Sequence, residues 1–303
     1  MYYENLLYAI GSTPLVKVPF DTPATVLAKL EYLNPGGSIK DRSAYFMVEE
    51  AIRTGKLKPG GTIIEASSGN QGISIAMIGA IKGYKTIITV SEKVSKEKQA
   101  TLVAYGAQIV VCKPTEKLDD PEGYYATAER IHKETPNSFF VAQYYNTENA
   151  RSHYYWTGPE IWQQTHGTVT HVVLGAGSCG TICGAGKYLK ERNPNIKVIG
   201  VDTSTSWLAT KGSPKPYKVE GLGVDYPSPH LAAASIDDFI NVSDENAFAM
   251  LKKLARTYGF LVGPATGAIA YAAEQYAKTL TPKDVVVTIF TDSGRAYLTK
   301  GYY

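Results

Sequence analysis

The strongest constraint on the fold is a repeated alternation. Short, continuously apolar runs recur along the chain: "TIIEA" (62–66), "KTIITV" (85–90), "QIVVC" (108–112), "FFVAQ" (139–143), "HVVLGAG" (171–177), "KVIGVD" (197–202) and "DVVVTIF" (284–290). A strand covered on one face alternates apolar with polar residues, whereas a strand covered on both faces does not. Segments of helical period lie between the runs. One is "SDENAFAMLKKLARTYG", with Ser243 placed to cap its start and Gly259 to stop it. Strand, helix, strand in succession predicts an α/β fold of parallel sheets with right-handed crossovers. The alternation breaks near residue 145, at "YYNTENARSHYYW". Two lobes are therefore expected, 1–145 and 146–303, each a mostly parallel twisted sheet flanked by helices. Roughly the first 35 residues are free to pack on the other lobe. A ligand is expected in the cleft, beyond the carboxyl ends of the strands.

Charge narrows the function classes. Lys and Arg number 31 against 28 Asp and Glu, a formal charge of +3 without a block of like charges. That leaves no electrostatic footprint for nucleic acid or a membrane surface, so any anion must be held locally. The three cysteines, Cys112, Cys179 and Cys183, have neither a metal-site nor a disulfide spacing. No metal is expected, and reduced thiols suit a cytoplasmic protein. The start "MYYENLLYAIGSTPLV" does not read as a signal peptide, and no apolar run is long enough to span a membrane.

Three loops carry candidate chemistry. In "NPGGSIKDRSA" (34–44), Ser38 and Asp41 fit a capping box, which puts Lys40 in the first turn of a helix. A cation there opposes the positive end of the helix dipole, and with partial burial its amine loses basicity and becomes a better nucleophile. A plain solvated lysine is the alternative. "EASSGNQG" (65–72) follows a strand and opens a helix, so its backbone N–H groups and hydroxyls could bind a carboxylate or phosphate. An ordinary helix cap is the alternative. "GAGSCGT" (175–181) is a weak dinucleotide pattern, better suited to one phosphate cradled by N–H groups and the Ser178 and Thr181 hydroxyls. An amine, an anion site and a monophosphate nest together suggest a lysine Schiff base on a phosphorylated aldehyde, and pyridoxal phosphate is the cofactor of that type.

At this point the chain resembles the cysteine synthase and cystathionine β-synthase group, the fold-type-II pyridoxal-phosphate enzymes, over nearly its whole length. The segments that carry the resemblance are "IGSTPLVKV" (10–18), "AKLEYLNPGGSIKDR" (28–42), "SSGNQG" (67–72), "TGPEIW" (157–162), "GAGSCGT", "EGLG" (220–223) and "TDSGRAYLTKGYY" (291–303). The resemblance implies that Lys40 carries pyridoxal 5'-phosphate and serves as acid and base, and that Asn70 bonds the ring hydroxyl. It further implies that Gly177, Ser178, Cys179, Gly180 and Thr181 form the phosphate loop. Ser67, Ser68, Gly69, Gln71 and Gln143 would hold the substrate carboxylate, with Gly221, Leu222 and Gly223 facing the amino acid across the cleft.

The chain also departs from that pattern. Gln71, and often Ser67, stand where the group has Thr, Cys179 stands where it has Gly, and Val224 replaces a tyrosine. The position where the group has a serine for the pyridine nitrogen is Ala265, with Thr266 beside it in "GPATG". Thr266 or a water is then expected to supply that hydroxyl, with no acid in the segment to keep the nitrogen protonated. The implied activity is β-replacement on a serine derivative, O-acetylserine first, with sulfide or a thiol, giving cysteine or cystathionine in a cytoplasmic homodimer. Elimination or replacement on cysteine, giving hydrogen sulfide or lanthionine, is the alternative activity. A catalytically weak binding or sensor protein is the alternative of another class.

Overall fold

The computed structural model describes residues 2–67, 69–115, 120–231 and 234–303. Its strands are β1 (Leu15–Lys17), β2 (Thr25–Leu30), β3 (Thr62–Ala66), β4 (Lys85–Ser91), β5 (Gln108–Cys112), β6 (Ser138–Phe140), β7 (His171–Gly175), β8 (Lys197–Thr203), β9 (Asp238–Val242) and β10 (Val285–Phe290). Its helices are α1 (Lys40–Arg53), α2 (Asn70–Lys82), α3 (Lys96–Ala104), α4 (Tyr124–Glu134), α5 (Glu148–Ser152), α6 (Gly158–Gln164), α7 (Gly180–Arg192), α8 (Asp244–Tyr258) and α9 (Pro264–Ala277).

The strands form two sheets. One has four strands in the order β5-β4-β3-β6, and the other has six in the order β1-β2-β10-β7-β8-β9. The β1–β2 pair is antiparallel, and the other recorded pairings are parallel. The central strands β3, β7 and β10 are almost wholly buried, which is why their sequences read as unbroken apolar runs. β10 enters between β2 and β7, so a strand from the end of the chain occupies the middle of the larger sheet.

Strands β3 and β5 have the bounds their sequences predict. "FFVAQ" is cut short. The strand ends at Phe140, and the backbone turns through Ala142 in the left-handed region (φ 51). β1, β2 and β9 carry no comparable apolar run. β2 contains Lys29, whose side chain is fully buried yet paired with Glu160 at 2.7 Å. The α8 caps form as predicted: Ser243 Oγ accepts from the Asn246 N–H, and Gly259 takes the left-handed conformation. The capping box of α1 does not form. Ser38 Oγ accepts from the Lys40 N–H, but the Asp41 carboxyl accepts from the Gly36 N–H and from Ser74 Oγ. Asp41 is thus spent on joining the glycine loop to α2.

A buried charge cluster fixes the start of α1. Arg42 Nε and Nη2 donate to Glu31 at 2.7 and 2.8 Å, and Nη1 and Nη2 donate to Glu160 of α6 at 2.7 and 2.8 Å. Burial alone would push both carboxyls up, but the Arg42 charge and hydrogen bonds bring Glu31 below its usual range and Glu160 to about 2. Two residues after Lys40, the chain is therefore anchored to elements of the six-stranded lobe.

Candidate active site

Helices α1, α2 and α7 begin around one cavity of about 290 Å³, continuous with a narrower slot of about 50 Å³. Lys40, Asn70, Gly177, Ser178, Gly221 and Leu222 line both. Lys40 is the first residue of α1, and the Ile39 N–H before it bonds the Thr291 carbonyl at 2.8 Å. Its Nζ lies 3.5 Å from Ser178 Oγ. Burial lowers the amine's pKa, opposed in part by the Asp292 and Glu65 carboxyls. A lysine that loses its proton more readily at a cavity wall is a competent nucleophile and base.

The nest opposite Lys40 is built from backbone. It opens the 13-residue helix α7, whose first N–H groups have no partner within the helix. Cys179 sits in the left-handed region (φ 65), with Sγ turned back to the Gly177 carbonyl at 3.4 Å. Its thiol is buried, and burial pushes its pKa up to about 12, so it neither crowds nor charges the nest. A Cβ at Gly180 would collide with Asn149 Oδ1, and one at Gly177 would lie 2.9 Å from the Gly221 carbonyl. Asn149 Nδ2 donates to Ser178 Oγ at 3.1 Å, and Thr181 Oγ1 lies 3.2 Å from His153 Nε2. Burial holds the His153 pKa well below its usual value, so this imidazole is neutral.

The loop before α2 supplies the facing wall. Ser67 is buried, and its Oγ accepts from the Gly69 and Gly72 N–H groups, each at 2.9 Å. It braces the loop from beneath. Ser68 lies outside the described residues. Gly69 requires its φ of +130, and a Cβ there would strike Lys98 Cδ. Gln71 faces the larger cavity; its Oε1 accepts from Ser43, while Nε2, though buried, has no partner. An unpartnered buried donor beside a helix N-terminus suits a carboxylate. Gln143 lines the same cavity, and Leu222 and the two left-handed glycines Gly221 and Gly223 close the far side. Asn70 donates from Nδ2 to Asp292 Oδ2 at 2.7 Å.

Ala265 faces the narrow slot. Thr266 is fully buried behind it, with Oγ1 accepting from the Thr291 N–H at 2.9 Å and lying 3.1 Å from Thr291 Oγ1. Sequence reasoning missed Thr291 and Asp292, which both line the slot directly after β10. Their place at the carboxyl end of a central strand is the signal that could have found them. It also missed Lys98, Tyr217 and Asp225 around the larger cavity, which no local motif marks, and Glu220 and Tyr297, which lie within the quoted segments "EGLG" and "TDSGRAYLTKGYY" without being singled out. Among the described residues, no group of three or more His, Cys, Asp or Glu is placed to hold a metal ion.

These residues fit pyridoxal phosphate. A cradle that tolerates no Cβ at two glycines suits a phosphate. An amine of lowered basicity stands beside it, and the slot that both line is also lined by Asn70, Thr291 and Ala265.

Fold and site define a two-lobed α/β enzyme whose cleft fits a phosphorylated aldehyde beside a lysine. The family model "Pyridoxal-phosphate dependent enzyme" matches residues 6–292, and the chain belongs to that family, with pyridoxal 5'-phosphate as its cofactor. It is similar to the cystathionine beta-synthase of Apis mellifera (42% identical, covering 98% of this chain), although it spans only 60% of that protein's length. It is also similar to the O-acetylserine dependent cystathionine beta-synthase of Bacillus subtilis (40% identical, 97% of this chain and 95% of the relative). The crystal structure of the O-acetylserine dependent cystathionine beta-synthase from Helicobacter pylori superposes with a TM-score of 0.94 at 38% identity, covering 100% of this chain and 99% of that one.

Proposed function

We propose that this enzyme performs β-replacement on a serine derivative, O-acetylserine first, with the thiol of a second amino acid as nucleophile. The observation that carries the reading is one cavity that brings the Lys40 amine, the α7 nest and the unpartnered Gln71 amide together. When bound, pyridoxal phosphate supplies an electron sink at the amino acid's α-carbon. Lys40 takes the α-proton on its Nζ and later returns it. Gln71 and the N-terminus of α2 hold the α-carboxylate, which fixes the Cα–H bond toward Lys40. Asn70, itself held by Asp292, addresses the ring hydroxyl, and the Gly177–Thr181 loop holds the phosphate.

The lining of the cavity favours an amino-acid thiol over sulfide. Lys218 and Asp225 line it beside the Lys98–Glu220 pair (3.3 Å), so groups of both signs are present for a zwitterion. Sulfide would use none of these. The relatives named for cystathionine support the same choice. The test is to offer the holoenzyme O-acetylserine with sulfide, cysteine or homocysteine and to identify products by mass. A thioether formed faster from the amino-acid thiols than cysteine from sulfide is expected. Turnover with sulfide alone would refute the choice of nucleophile, and no turnover with any pair would favour a binding or sensor role.

A cytoplasmic homodimer belongs to the same proposal. No helix among the described residues is long and apolar enough to cross a membrane. Tyr8 and Tyr155 are more than half exposed, and Tyr155 stacks on Phe46 beside a Tyr45–Trp156 stack. An exposed aromatic face of that kind suits a two-fold contact. Sedimentation at micromolar concentration should give twice the 32.9 kDa chain mass.

A further inference from the structure

Four polar side chains form one hydrogen-bonded line through the interior, and the line begins at a cation. Lys98 Nζ donates to Tyr297 OH at 2.9 Å and stands 4.2 Å from the centre of that ring. Tyr297 OH donates to Asp292 Oδ2 at 2.5 Å, and Asn70 Nδ2 donates to the same oxygen at 2.7 Å. Lys98, Tyr297 and Asp292 are all buried. Lys98 belongs to α3 and Asn70 to α2, both in the four-stranded lobe, whereas Asp292 and Tyr297 follow β10 in the six-stranded one. The line therefore leaves one lobe, passes through the other and returns to the first. Lys98 and Tyr297 line the larger cavity but not the slot, and reach the slot only through Asp292.

The donor and acceptor inventory fixes the direction of every bond in it. An ammonium only donates, and an ionised carboxylate only accepts. Tyr297 must then accept from Lys98 and donate to Asp292. Burial, with the Asp292 charge beside it, holds the Tyr297 pKa well above its usual value, so the hydroxyl keeps the proton it donates. Asn70 must likewise turn its NH2 group to Asp292 rather than its carbonyl. One N–H of Asn70 is taken up there, and the second is left for the slot and cavity that Asn70 lines. Two donors pin Asp292 Oδ2, and Thr291 Oγ1 pins Oδ1 at 3.0 Å. The Asn70 amide therefore has a fixed aim, set from the far end of the line.

We propose that Lys98 and Tyr297 are positioning residues for the ring hydroxyl of bound pyridoxal phosphate: through Asp292 they hold Asn70 so that its second N–H meets that oxygen and favours its ionised form. A donor to a charged oxygen stabilises the charged form, so the aim of one amide sets how far the ring oxygen is ionised. The inference rests on the placement of Asn70 at the ring hydroxyl given above, which exchange of Asn70 itself tests separately. A plain clasp between the lobes is the competing role for Lys98. The same two segments carry a second tie that serves as its control: the Glu97 carboxyl accepts from the Thr299 N–H and from Thr299 Oγ1, each at 2.7 Å, without touching the line.

The test is the absorbance spectrum of fully loaded holoenzyme without substrate. The bound cofactor absorbs in the visible with its ring oxygen ionised and in the near ultraviolet with it neutral. Asn70→Ala removes the bond outright and should lower the visible-to-ultraviolet ratio about tenfold. Tyr297→Phe and Lys98→Met leave the bond misaimed and should each lower the ratio about twofold or more. Lys98→Met in the Tyr297→Phe background should add little, because both exchanges cut one line. Thr299→Val, which weakens the neighbouring tie, should leave the ratio at its wild-type value. An unchanged ratio in Tyr297→Phe would overturn the proposal. Additive effects of the two exchanges would also overturn it, since Lys98 would then act through space. So would a Thr299→Val change as large as that of Lys98→Met, the mark of a clasp. An unchanged ratio in Asn70→Ala would overturn it too, and would remove Asn70 from the ring hydroxyl. Should Tyr297→Phe fail to fold, Lys98→Met against Thr299→Val decides.

Discussion

Asn70 and Asp292 stand 222 positions apart in sequence and meet through a 2.7 Å hydrogen bond across the cleft. Asn70 opens α2 in the four-stranded lobe, and Asp292 follows β10 in the six-stranded one. The loop before α2 is therefore registered against the strand exit that lines the slot. A change at either residue is felt at both walls.

Lys40→Ala should fold with little change in stability, because alanine is favoured in a helix and no buried amine remains to be desolvated. It should lose turnover and lose the cofactor mass that borohydride fixes to the wild-type chain. Mass spectrometry of the reduced protein checks this; near-normal turnover would remove Lys40 from its role.

Gln71→Leu removes a buried donor on the cavity wall that has no partner. A lost hydrogen bond to a charged group costs roughly 1.5–3 kcal/mol, or about tenfold to a hundredfold in affinity. O-acetylserine should bind more weakly by that factor, whereas its methyl ester, which lacks the carboxylate, should hardly be affected. Spectral titration with both compounds makes the comparison.

Arg42→Met leaves Glu31 buried without its cation. Breaking a buried pair from one side typically costs about 3–5 kcal/mol. Denaturant unfolding should show a loss of that size, and Arg42→Met combined with Glu31→Leu should recover part of it. Equal stability of the single variant and the wild type would mean that the cluster does not anchor α1.

Glu65 lies fully buried at the end of β3, and neither carboxyl oxygen makes a well-formed hydrogen bond. Burial pushes its pKa up to about 8, against the opposing backbone N–H groups of Gln143 and Ala142 and the Lys40 amine. A raised carboxyl pKa means that the folded chain holds a proton that the unfolded chain has released. Between the unfolded value of 4.5 and about 8, this group therefore makes stability fall as pH rises, by up to about 1.4 kcal/mol per pH unit. Glu65→Gln should remove that slope, which unfolding measured at pH 5, 6, 7 and 8 would show. An unchanged slope would mean that Glu65 is ionised in the fold.

Much of this was legible in the sequence because the informative residues sit where strands end. β3 and the helix after it flag Asn70 and Gln71, and β7 flags Ser178 and Thr181. What was not legible depends on long-range pairing. β2 is disguised by Lys29, which reads as surface until Glu160, 131 residues later, neutralises it in the interior. Thr291 and Asp292 enter the site only because β10 inserts beside β2. Lys98 sits in "VSKEKQ", a stretch that looks solvated, yet it is buried against Tyr297, 4.2 Å from the ring centre. The capping box misled because Asp41 had a better use in Ser74 and Gly36.

The neutrality of the α7 nest has a consequence for how firmly the enzyme keeps its cofactor. Small ions in solution screen sites that hold anions by lysine or arginine, so retention there weakens as ionic strength rises. Here His153 is uncharged, Cys179 keeps its proton, and Lys40 is the cation recorded against the loop. In the proposed placement of the phosphate, fixed backbone dipoles and two hydroxyls would do the holding. Retention should then be nearly indifferent to salt. The empty nest should also be a poor trap for stray polyanions, since it offers shape and direction rather than net charge.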